Sequence, residues 1–189
     1  MRNLKKLFAV IMAVAMLASV MVPALAAEGF KYEAEAKKLY DLGLFKGNSE
    51  TSYEPDLGTT LNRQAGLALA IRLMGKDAEV AAMTQEEIAT QLAKIVDADQ
   101  ISDWAKPYAA YAVKNGLTNG IDANILPNVK FGAQLDLTGK EFINFVLKAM
   151  GYQVAWDDVL TKAASIGMLS AGDAVTFGTT AVMTRDLAV

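Results

Sequence analysis

Apolar stretches of helical length that stop at a glycine recur along this chain, and two of them are written in one register. From Asn62 the sequence Asn-Arg-Gln-Ala opens a stretch of a little over three turns that ends in Met74-Gly75. From Thr138 the sequence Thr-Gly-Lys-Glu opens another that ends in Met150-Gly151. Thirteen residues separate cap from glycine in both copies, the mark of a duplicated helix. A third copy opens at Thr184 (Thr-Arg-Asp-Leu), with Val189 following before the helix is complete.

Upstream of each copy lies a further apolar stretch that stops at a glycine followed by a large apolar residue: Leu42-Gly43-Leu44, Asn115-Gly116-Leu117 and Ile166-Gly167-Met168. A second glycine follows at Gly47, Gly120 and Gly172. Glycine just past a helical stretch suits the left-handed cap, where a Cβ is penalised. Each unit therefore reads as helix, glycine-rich loop, helix, with loops of unequal length from 43 to 62, 116 to 138 and 167 to 184. The expected organisation is repeat 1 over 30–76, a helical connector over 77–100, repeat 2 over 101–152 and an incomplete repeat 3 over 153–189. In the connector, Thr84 and Glu87 have capping-box spacing, and Ile88, Leu92 and Ile95 share one helix face that would pack the first two repeats together.

Residues 1–26 form an export signal: Arg2, Lys5 and Lys6 precede an apolar run from Leu7 to Val22, and Ala24-Leu25-Ala26 places small residues for cleavage before Ala27. Taking those three bases from the 18 in the chain, and none from the 21 acids, leaves 15 against 21, a net charge of −6. That balance disfavours a grip on nucleic acid or on an anionic membrane, so contact with a membrane is expected only during export. There is no cysteine and no histidine, which excludes a disulfide scaffold, Ser-His-Asp and Cys-His catalysis, and the usual zinc sites. Asp97, Asp99 and Asp103 alternate as calcium ligands do, but the glycine and glutamate that complete such a loop are missing, and a solvated turn is the favoured reading. Asp157-Asp158 suits the first turn of a helix. No metal or cofactor is called for.

The phrases Ser102-Asp103-Trp104-Ala105, Gly116-Leu117-Thr118-Asn119-Gly120 and Leu137-Thr138-Gly139-Lys140-Glu141-Phe142 resemble the S-layer homology (SLH) repeat. So do Leu61-Asn62-Arg63-Gln64 and Met183-Thr184-Arg185-Asp186, beside that family's T-R-A-E-like signature. The resemblance implies an all-α fold of tandem helix-loop-helix repeats forming a pseudo-threefold SLH-type spindle. It also implies a secreted protein at the bacterial cell wall or S-layer, anchored by secondary cell wall polysaccharide, often carrying acidic pyruvate ketals. This is a binding function and not an enzymatic one. Two alternatives stay open: a structural S-layer protein that self-associates through its repeats, and the anchor module of a wall hydrolase.

The polysaccharide-binding residues implied are Arg63 and Arg185, with their caps Asn62 and Thr184, and Trp104. An arginine at the first helical position sits at the positive end of the helix dipole, and free N–H groups beside a guanidinium fork suit a carboxylate. Spacing alone leaves both arginines equally free to reach solvent or a nearby acid. Trp104 and Trp156 offer a face for a sugar, although a core role is the favoured reading for such large apolar side chains. Repeat 2 departs from the pattern: Gly139 replaces the arginine, while Thr138 and Glu141 form a capping box, so its groove is expected to be weak or silent. Replacing either arginine with alanine is expected to weaken binding and spare folding, and Gly139→Ala to be neutral or slightly stabilising.

Overall fold

The elements are helices, in the order α1 (Glu33–Asp41), α2 (Arg63–Leu73), α3 (Asp77–Ala81), α4 (Gln85–Leu92), α5 (Lys106–Lys114), α6 (Gly139–Ala149), α7 (Val159–Ser165), α8 (Ala171–Thr179) and α9 (Arg185–Ala188). This computed structural model describes residues 29–47 and 52–189; the expected export signal over 1–26 and its expected cleavage before Ala27 lie outside the described residues. Among the described residues, strand-like pairing is confined to isolated bridges, such as Thr60 with Thr184 and Asn62 with Asp136. The fold class is all-α, as the spacing of apolar stretches implies.

α2, α4, α6, α8 and α9 start where a polar side chain satisfies a free N–H group. The Asn62 side chain accepts from the Ala65 N–H at 3.0 Å, and the Thr184 hydroxyl accepts from the Leu187 N–H at 3.3 Å. The Thr138–Glu141 and Thr84–Glu87 boxes are closed in both directions. Such caps typically contribute about 1 kcal/mol each. α1, α2, α5, α6 and α7 stop at glycine: after α5, Gly116 has φ +67°, and the Leu117 N–H turns back to the Ala112 carbonyl at 2.8 Å. This is the bond pattern of a left-handed glycine cap. No atom lies within 4 Å of a Cβ placed on Gly116, so conformation and not space selects glycine there.

α2 packs against α6 and α5, α4 against α5, and α6 against α7 and α8. Residues just ahead of the three caps close the centre. The Leu61 N–H donates to the Met183 carbonyl at 2.8 Å, Met183 to Leu137 at 2.7 Å, and Leu137 back to Leu61 at 3.0 Å. All three side chains are 2% exposed or less, so the residue ahead of each cap contributes a buried apolar side chain and one link of a cyclic hydrogen-bond chain.

Three readings change. The connector is two short helices, α3 and α4, both seated on α5. The 167–184 loop contains α8, capped by a Ser170–Asp173 box. Asp97 is 5% exposed and not a solvated turn residue; its two oxygens accept the Phe131 and Gly132 N–H groups at 2.7 and 2.8 Å, which offsets the cost of burying a charge.

Candidate functional site

Arg63, first residue of α2, sits at the base of a groove of about 500 Å³. One wall is the face of α6 carrying Glu141, Asn144, Phe145 and Lys148, residues spaced three and four apart and so stacked along one helix side. The loop after α5 adds Thr118 to Ile121 and Ala123 to the lining, and Trp156 lines it as well. Gly120 shapes that loop: its φ is +76°, and a Cβ there would lie 2.4 Å from the Lys130 carbonyl oxygen. The buried Thr118 hydroxyl accepts the Gly120 N–H at 3.0 Å.

Arg63 is 4% exposed and its polar atoms are committed. Its guanidinium pairs with the Glu141 carboxylate, its Nε donates to the Phe131 carbonyl at 3.0 Å, and its cation faces the rings of Phe131 and Phe145 at 5.8 and 5.4 Å. Burial lowers the Arg63 pKa, and Glu141 opposes that shift. Glu141 also accepts the Thr138 N–H and hydroxyl, each at 2.9 Å. The Thr138–Glu141 capping box and Arg63 are thus one network. Sequence spacing shows each half and not their meeting.

Arg185 holds the corresponding place at α9. Its Nε donates to the Pro55 carbonyl at 2.8 Å, another guanidinium N–H donates to the Lys46 carbonyl at 2.6 Å, and Phe45 lies 4.8 Å beneath the cation. Burial lowers its pKa as well. At the third equivalent position, Gly139, the space is filled by α8: a Cβ would stand 2.4 Å from the Phe177 carbonyl oxygen, and the Gly139 N–H donates to the Thr180 carbonyl at 3.0 Å.

Arg63 therefore lies at the groove, Asn62 and Thr184 act as caps, and Arg185 belongs to a separate contact with the Lys46 and Pro55 carbonyls. Trp104 is 51% exposed but does not line this groove, whereas Trp156, 50% exposed, does; neither is a core residue. Lys140 lies over the Trp156 ring at 4.5 Å from its centroid. Asn144 and Lys148 carry no legible motif. The signal that finds them is their helical spacing from Glu141, once Glu141 is known to face Arg63.

Residues 94–142 match the family model of the S-layer homology domain. That stretch comprises the segment after α4, α5, the loop after it and the start of α6 as far as Phe142, so it supplies Thr118 to Ile121, Ala123 and Glu141 of the groove's lining. The match supports the family resemblance over that stretch and, in general terms, a role in non-covalent attachment at the cell surface. Comparison with curated proteins and with solved structures gives no match. Among the described residues, no helix is long and apolar enough to cross a membrane.

Proposed function

We propose that this chain anchors its protein to the cell envelope by binding a secondary wall polysaccharide in the groove that repeat 2 lines together with Arg63 of repeat 1 and Trp156 of repeat 3. The observation that carries this reading is the groove's lining, which includes a half-exposed indole, Trp156, and the Asn119 and Asn144 amides. Neither amide has a hydrogen-bond partner among the described residues. An aromatic face with a few convergent polar groups suits a sugar, whose C–H faces stack on the ring while its hydroxyls meet the amides. Glu141, the carboxylate in that lining, is held by Arg63 and by the α6 cap, which favours binding over catalysis. The repeats are arranged, in this reading, as a pseudo-threefold spindle, supported by the cyclic bonds among Leu61, Leu137 and Met183.

The test is sedimentation of the purified chain with native cell walls, before and after extraction of the secondary polysaccharide. Binding should be lost on extraction, and Trp156→Ala should weaken binding to untreated walls about tenfold, the scale of one lost stacking contact. Undiminished binding to extracted walls would reject the reading, and concentration-dependent self-association without wall binding would favour an assembly role.

A further inference from the structure

We propose that Lys148, and not the arginine of the cap signature, is the cation that meets an acidic substituent on the groove's ligand, so that it sets a preference for carboxylate-bearing glycan. This rests on the polysaccharide-binding reading and assigns the charge recognition within it.

Arg63 cannot easily take that role. Its guanidinium is already paired with Glu141 and hydrogen-bonded to Phe131, and its surface is almost wholly covered. Arg63 and Glu141 also cancel, so together they bring no net charge to the groove. Lys148, two turns along α6 from Glu141, lines the same groove. It is partly buried, and among the described residues no carboxylate or other acceptor reaches its ammonium group. Burial alone lowers its pKa. A lysine in the last turn of a helix ordinarily gains from the helix dipole while its ammonium stays in water; here the groove walls remove part of that water without supplying an ion partner.

The repeat itself provides the internal comparison. Counted from each cap, Lys148 in α6 has the register of Arg72 in α2. Arg72 is provided for: its Nε donates to the Tyr108 hydroxyl at 2.9 Å, and Asp77 lies at 3.4 Å. The equivalent cation in repeat 2 has no such partners, and it is the one that faces a groove. With the Asn144 amide one turn earlier on the same helix face, the ammonium can take a carboxylate while the amide takes a neighbouring hydroxyl.

The experiment is calorimetric titration of the purified chain with an acidic wall polysaccharide and with the same polysaccharide after its carboxylates are reduced to alcohols. The wild-type chain should prefer the acidic polymer by about tenfold or more. Lys148→Gln and Lys148→Met, the latter keeping the apolar stem, should bind both polymers with the affinity the wild type shows for the reduced one, whereas Lys148→Arg should keep the preference. Circular dichroism melts should be unchanged in all three. An undiminished preference for the acidic polymer in Lys148→Gln and Lys148→Met overturns the lysine assignment and leaves the binding reading standing. A wild-type chain that binds both polymers equally also overturns the assignment. A wild-type chain that binds neither overturns the binding reading, and this inference with it.

Discussion

Arg63 keeps its charge in a site where 4% of its surface remains exposed, and that is tolerable because Glu141, the Phe131 carbonyl and two aromatic rings replace the water it gave up. Truncating it strands the other members of the network. Arg63→Ala should therefore destabilise the fold by about 3–5 kcal/mol, the scale of breaking a buried pair, as read from denaturant unfolding. Arg185→Ala, which loses bonds to two neutral carbonyls, should cost about 1–3 kcal/mol. These values reverse the expectation that folding would be spared. The arginines are legible in the sequence as a repeated position. Their partners are not, because Glu141 lies 78 residues from Arg63 and no local pattern links them.

Among the elements, α8 is what the repeat pattern conceals. Its Gly172, Val175, Thr176, Gly178 and Thr179 make it a poor helix former, although the Ser170–Asp173 box was there to be read. It lies against Gly139 so closely that any side chain there meets backbone. Gly139→Ala should consequently cost about 1–3 kcal/mol through overpacking, outweighing a propensity gain of at most about 1 kcal/mol. Hydrogen exchange should rise through residues 171–179; wild-type stability with unchanged exchange there would remove α8's claim on that space. The connector helix α3 is tied on by carboxylates. Partial burial pushes Asp77 up, but the Tyr108 hydroxyl, Arg72 and Lys46 together bring it below its ordinary 3.8, and Lys76 and the Tyr111 hydroxyl bring Glu79 below 4.5. Depressed carboxylate values add stability above the unfolded pKa that is lost as pH falls through the folded one. The wild type should lose this contribution below about pH 4, and the Asp77→Asn, Glu79→Gln double variant should show a shallower loss in melts between pH 6 and pH 3.

At the scale of the whole molecule, the cycle Leu61–Met183–Leu137 joins segments far apart in sequence, so no single segment completes the centre alone. Leu137 is fully buried, and its Cδ2 would be 2.0 Å from a Cβ on Gly66 of α2. Leu137→Ala should cost about 2–5 kcal/mol and shift one cooperative transition, with helix signal and tryptophan fluorescence moving together. Separate transitions for the two probes would show that the repeats fold independently.

Local chemistry was sufficient for the elements: caps at Asn62, Thr138 and Thr184, glycine stops at Gly43, Gly116 and Gly167, and the repeated register are each written within a few residues, because hydrogen bonds at helix ends are satisfied locally. The all-α class and the position of both signature arginines follow from them. Which arginine is neutralised, which tryptophan faces a groove, and that Lys148 has no partner among the described residues where Arg72 is given one were decided only in three dimensions. Those outcomes depend on contacts between residues tens of positions apart, and burial, which sets what a charge can do, belongs to the packed molecule and to no segment of it.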